Sequence, residues 1–198
     1  STHLLPLAET VPPGLYQLRV QLLAAAGAVI QPLGPAGTPV DTPLVLPIVI
    51  RPGAAPAVNN GLPALAEFAN GLELLGVEGL AEKTTAGEWL RFTLLWRSQT
   101  TSPTDYTVFT QFLGPDGQVW GQHDNPSKGG WYPLSLWAAG EAAADDYAVR
   151  LDPAAPPGEY RLIVGLYDPA TGERVRLAAG RGTGGDFLEA ATITVAAP

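Results

Sequence analysis

An internal repeat constrains this chain more than any other feature. The run Pro12-Pro13-Gly14-Leu15-Tyr16-Gln17-Leu18-Arg19-Val20-Gln21-Leu22 returns 144 residues later as Pro156-Pro157-Gly158-Glu159-Tyr160-Arg161-Leu162-Ile163-Val164-Gly165-Leu166, identical at seven of eleven positions. Pro-Pro-Gly is an easy coincidence in a chain with 20 Pro and 23 Gly, but the Tyr-x-Leu-x-Val-x-Leu alternation is not. A period of two sets those four side chains on one face of a strand. Repeats at long spacing mark structural units. If both copies end alike, residues 64–198 form one complete unit and residues 1–52 hold only the C-terminal strands of a partial preceding one. Residues 53–63, rich in Pro, Gly and Asn, read as a linker.

Composition supports short strands. Gly and Pro interrupt regular elements, because Pro lacks a backbone donor and Gly weakens element interiors. Residues 89–97 alternate Leu90, Phe92, Leu94 and Trp96 against Arg91, Thr93 and Arg97, with Leu95 as an exception. That pattern predicts a half-buried strand with Trp96 as a structural core residue. Further strands are expected over 71–77, 106–113, 118–122, 146–151, 159–167, 174–177 and 188–195. Gly114-Pro115-Asp116-Gly117 and Asp168-Pro169-Ala170-Thr171-Gly172 read as hairpin turns. Residues 64–70 are the one short helical candidate. In the partial unit, strands are expected over 15–24 and 44–50, with 28–31 as a hairpin return. Two or three strands are marginal alone, so residues 1–52 are expected to pack on the complete unit or to self-associate with a second copy. The fold class is an all-β, antiparallel, immunoglobulin-like β-sandwich.

The repeat carries a mechanism. In such sandwiches a Tyr near the start of a late strand bonds the upstream backbone, a tyrosine corner, and Pro-Gly-x-Tyr supplies the turn. Tyr160 and Tyr16 take that role, the alternative being that each is simply a strand aromatic.

Several residues resemble a known module when taken in order: Asp105-Tyr106-Thr107-Val108-Phe109, Gly114-Pro115-Asp116-Gly117, Gln122-His123-Asp124, Tyr132-Pro133, Trp137, Gly140-Glu141, Asp145, and Pro157-Gly158-Glu159-Tyr160 through Gly165-Leu166-Tyr167-Asp168. The unit is similar to the β-sandwich domains at the C-terminal, extracytoplasmic end of multi-spanning bacterial membrane proteins, often ones related to dolichyl-phosphate-mannose-type glycosyltransferases. The resemblance implies a location at the cell surface or in the periplasm, beside a membrane-embedded region of a parent protein. It implies no chemistry for this unit. Gln111 stands where the resemblance leads one to expect His, and Leu134 where it leads one to expect Thr or Ser.

The charge balance narrows the partners. With a net charge of -8, two lysines, Lys83 and Lys128, and no basic run, the chain lacks the footprint of a nucleic-acid binder. The absence of Cys removes disulfides, thiolate metal sites and cysteine nucleophiles. No Met occurs, so the chain is expected to be a piece of a larger protein, with any anchor or targeting segment lying outside it.

No catalytic set is expected. The two histidines are His3, near a terminus, and His123. His123 and Asp124 are adjacent on a strand and so face opposite ways. Exchange of His123 is therefore expected to be silent. Asp116, Asp124, Glu141, Asp145 and Asp146 fall in or beside expected turns, where carboxylates bond local backbone. They form no regular calcium loop, and neither a metal nor a cofactor is expected.

The stretch 120–137 concentrates Trp120, His123, Asp124, Asn125, Trp131, Tyr132 and Trp137 in a long excursion between strands. Long loops are often functional, and flat rings edged by Asn and Asp are what sugars stack on. Two readings stay open, a carbohydrate-binding surface built on those residues or a local core capping the sandwich. Trp137, before Gly140-Glu141, has the look of a core plug. The chain is thus expected to be a non-catalytic structural or interaction module, with glycan binding as the alternative.

Overall fold

A computed structural model describes residues 14–20, 22–23, 29–30, 44–50, 61–130 and 132–197, with side chains from residue 61 onward. The chain divides into two units, Ser1–Pro52 and Gly53–Pro198. In the first, strand β1 (Gly14–Val20) pairs antiparallel with β4 (Leu44–Ile50), and β2 (Leu22–Leu23) pairs with β3 (Val29–Ile30). The side chain of Tyr16, most of the linker and the packing expected of residues 1–52 lie outside the described residues.

The second unit is a β-sandwich of two five-stranded sheets. One sheet has the order β11 (Ala142–Arg150), β8 (Trp89–Ser98), β6 (Leu72–Glu78), β5 (Ala66–Phe68), β13 (Leu177–Gly180). The other runs β10 (Val119–Pro126), β9 (Thr107–Leu113), β12 (Gly158–Tyr167), β14 (Leu188–Ala196), β7 (Lys83–Thr85). Alternating side chains from both sheets meet between them. Phe92, Leu94 and Trp96 of β8 lie in one core with Val108 and Phe112 of β9 and Tyr160, Leu162, Val164 and Leu166 of β12. Phe92 meets Phe112 edge-on at 6.0 Å. Leu95, the exception to the alternation, is also buried, and lies on the outer side over Gly76.

Several expectations need correction. Residues 64–70 are not helical, because Ala66 and Phe68 are buried with half-buried Glu67 between them, which is strand periodicity. They form a hairpin with β6, closed where the Asn70 carboxamide accepts the Leu72 amide at 3.2 Å and Gly71 takes φ +79°. Strand β7 had no alternation to betray it, and its pairing with β14 is parallel, so the sandwich is not purely antiparallel. Strand β10 runs on to Pro126 and β11 begins at Ala142. Asp124, Asp145 and Asp146 therefore sit in strands rather than turns. The strand expected over 174–177 is a single bridge, Tyr167 to Arg174, and β13 starts at Leu177.

The two copies of the repeat pair alike. Gly14 lies opposite Ile50, Tyr16 opposite Ile48 and Leu18 opposite Leu46. Gly158 lies opposite Val195, Tyr160 opposite Ile193 and Leu162 opposite Ala191. Each of those β1 residues is offset by 144 from its counterpart and each β4 partner by 145, so the register is the same as far as Leu18; beyond it Arg19 and Val20 lie opposite Val45 and Leu44, whereas a bulge after Leu162 sets Ile163 and Val164 opposite Glu189 and Leu188.

Candidate functional site

Trp120, His123, Asp124 and Asn125 lie on edge strand β10, which runs beside edge strand β11. Gly121 lets the two strands approach, since a Cβ there would stand 2.9 Å from the Arg150 carbonyl oxygen and 3.1 Å from the Val149 side chain. The Asp152 amide donates to the Trp120 carbonyl at 2.7 Å across the same junction.

At the start of β10 the turn 114–117 is held by Asp116. Its carboxylate accepts the Gln118 amide and the Trp120 indole N–H, each at 3.0 Å. Those bonds, the Gln118 amide first, hold the Asp116 carboxyl below the ordinary carboxylate value. Trp120 is thereby pinned by its edge, half-buried against the core.

His123 and Asp124 part company, as adjacent strand residues must. His123 Nδ1 lies 3.1 Å from the Ala148 carbonyl oxygen, and because a carbonyl only accepts, the proton sits on Nδ1. Its ring meets Tyr147 edge-on at 5.9 Å. Asp124 is exposed on the outer face, beside the Tyr167 hydroxyl, whose pKa is raised by burial first and then by that carboxylate. Asn125 is half-buried on the His123 side, opposite Val108.

Tyr132 is 4% exposed and stacks on Trp137 with ring centroids 6.2 Å apart. The Trp137 indole N–H donates to the Tyr132 carbonyl at 3.1 Å, and Trp137 is 1% exposed. Neither ring offers a face to a ligand. Trp131 lies outside the described residues. Among the described candidate residues, Tyr132 and Trp137 are core rings and form no solvent-facing platform. Trp96 is likewise core, 6.0 Å from Phe68, and its indole nitrogen is buried without a hydrogen-bond partner.

The group whose role the sequence did not reveal is Asp145, weighed above as a carboxylate in or beside a turn. It is 1% exposed, accepts the Lys128 amide at 3.1 Å on one oxygen and the Tyr147 hydroxyl at 3.0 Å on the other. Lys128 Nζ donates to the Ala144 carbonyl at 2.6 Å, and Lys128 itself is left-handed at φ +54°. Three successive left-handed residues, Lys128, Gly129 and Gly130, form the turn that Asp145 grips. Burial, the largest influence, raises the Asp145 carboxyl, against the two hydrogen bonds that lower it. Burial and the neighbouring carboxylate push the Tyr147 phenol far up. A signal existed, because Asp145 shares the inward parity of Ala143, Tyr147 and Val149.

Glu141 Oε2 accepts the Ala138 amide at 2.8 Å and so caps the turn before β11. Among the described residues no group of three His, Asp or Glu side chains is placed to hold a metal ion. No helix among them is long and apolar enough to cross a membrane. An open depression of about 400 Å³ lies beside Trp120, lined also by Val119, Gln122, Arg150 and Asp152.

No protein-family model and no curated protein matches the sequence. Among solved structures the chain is similar to the crystal structure of the C-terminal domain of wzt, at 11% identity and a TM-score of 0.49, with 75% of this chain and 83% of that one covered.

Proposed function

We propose that the chain is a non-catalytic structural or interaction module of a larger, membrane-associated protein, placed outside the cytoplasm. The observation that carries the first half is how the reactive side chains are used. The His123 ring bonds a strand carbonyl, Asp116 and Glu141 cap turns, and Asp145 anchors a loop. A nucleophile needs a base within hydrogen-bond reach, and the described neighbours of the His123 ring are the Ala148 carbonyl and the edge of the Tyr147 ring, neither of them a hydroxyl to activate nor a carboxylate to orient the imidazole. The location rests on the sequence resemblance alone. A panel of glycoside and ester substrates tests the reading: no turnover is expected, and turnover that disappears in Asp124→Asn would overturn it.

Glycan binding is a second reading, favoured by the depression beside Trp120 rather than by the aromatic run as a whole. Half-buried Trp120 and exposed Val119 there adjoin Gln122, Arg150 and Asp152, an apolar surface with convergent polar groups. A glycan array at millimolar sugar would detect it. Signal abolished by Trp120→Ala supports this reading, and silence removes it.

A further inference from the structure

Two large apolar side chains stand out in solvent among the described residues, Trp89 at 57% exposed and Val119 at 43%. Both lie beside one arginine. Trp89 opens β8 directly opposite Arg150 of β11, so the two side chains share the outer face of that sheet, with Cβ atoms about 5 Å apart. Val119 lines the depression beside Trp120, whose wall Arg150 also forms. The Arg150 Nε donates to the Gly87 carbonyl at 3.0 Å, which fixes the guanidinium, and among the described residues no carboxylate pairs with it. Its Nη donors are therefore available to a ligand. Asp152 is exposed and equally fixed in place. Its amide donates to the Trp120 carbonyl and one carboxylate oxygen accepts the Ala154 amide at 2.7 Å, which leaves the other oxygen as an acceptor.

We propose that Arg150 joins two adjacent subsites for a neutral oligosaccharide of equatorially hydroxylated pyranose rings, one in the depression beside Trp120 and one on the exposed ring of Trp89. This rests on the glycan-binding reading and adds to it a ligand class and a second subsite. Equatorial hydroxyls leave axial C–H bonds on the sugar face, and these meet the negative face of an indole. Neighbouring hydroxyls each donate and accept, so the Nη groups of Arg150 and the open oxygen of Asp152 offer them a donor and an acceptor together. A carboxylate-bearing sugar is disfavoured, because Asp152 stands in the same wall and the chain carries a net charge of -8. Strand β11 lies between β8 and β10, which puts Trp89 on one side of Arg150 and Val119 with Trp120 on the other. A chain of sugars, rather than a single ring, contacts both.

The test titrates the full chain with glucose, cellobiose and cellotetraose, whose rings are all-equatorial, and with trigalacturonate, followed by NMR of amide and side-chain N–H groups. Cellotetraose is expected to bind about tenfold or more tightly than glucose and to shift the Trp89 indole and Arg150 Nε signals. In Trp89→Ala that advantage of length is expected to disappear. Asp152→Asn keeps an acceptor for the Ala154 amide and turns the open oxygen into a donor, so it is expected to weaken the whole series. Amide signals away from the site report that each variant is folded. Equal affinity for glucose and cellotetraose, or an advantage of length that Trp89→Ala retains, overturns the second subsite. Parent-like affinities in Asp152→Asn overturn the polar pairing, and tighter binding of trigalacturonate than of cellotetraose overturns the neutral class. In each of these cases a glycan-array signal that depends on Trp120 leaves the underlying reading standing. Absence of binding by every probe overturns this proposal alone if the array gives such a signal from another glycan, and removes both if the array is silent.

Discussion

The Tyr160 hydroxyl donates to the Pro156 carbonyl oxygen four residues upstream, across 2.8 Å, from a side chain that is otherwise fully buried. This is the tyrosine corner expected from Pro-Gly-x-Tyr, and it ties the entry of β12 to the loop before it. Burial first, and then the Asp116 carboxylate, raises the phenol pKa, so the donor keeps its proton. Tyr160→Phe is expected to fold and to lose about 0.5–1.5 kcal/mol, the usual net value of one such bond. An unchanged denaturation midpoint would show that the bond contributes nothing.

Asp145 sets a pH dependence whose sign is opposite to that of a salt-bridged carboxylate. Its folded pKa is raised above the unfolded value of 3.8. Between those two values the folded protein holds a proton that the unfolded chain has released, so this group's contribution to stability falls as pH rises through the window. Asp145→Asn keeps an acceptor for the Lys128 amide and removes the titration. Stability of the variant should decline less from the acid side toward neutrality than that of the parent. Parallel stability curves for the two proteins between pH 4 and 7 would refute the assignment.

Gly165 and Phe109 form an interlocked pair on the outer face, with the Arg174 guanidinium 4.4 Å above the ring and ion-paired to Asp186. Gly165→Ala is expected to cost about 1–3 kcal/mol by overpacking. Adding Phe109→Ala should recover part of that loss, because the clash is removed. A double-mutant cycle measures the coupling, and additive losses would contradict the contact.

The fold gives His123 contacts whose loss can be measured against the expectation of silence. The His123 ring covers the Ala148 carbonyl on the outer edge of β11, where that strand faces β10, as Lys128 covers that of Ala144. Side chains that cap an edge discourage pairing with other chains. His123→Ala should cost about 0.5–1.5 kcal/mol and increase concentration-dependent association. Light scattering and chemical denaturation check the two effects, and a variant identical to the parent in both would restore the expectation of silence.

Much of the architecture was legible because alternation is a local property. Pro-Gly-x-Tyr followed by Leu162, Val164 and Leu166 announced β12 and its corner, and Gly114-Pro115-Asp116-Gly117 announced a hairpin, since each depends on neighbours in the chain. The amino-acid order by itself therefore determined an all-β fold, the repeat and the buried face of the central strands. Which strands become neighbours depends on contacts far apart in sequence, and these only the tertiary structure decided. Strand β7 is a strand because β14 lies beside it, not because Lys83-Thr84-Thr85 has a period. Asp145 reads as a surface carboxylate until Lys128 and Tyr147 close over it. His123 gains its role from a carbonyl 25 residues away. Tyr132 reads from the sequence as either a sugar platform or part of a local core, and its stacking on Trp137 shows a buried ring. In each case, burial and bonding are set by the partner that the folded chain brings to the residue, and the local pattern carries no record of that partner.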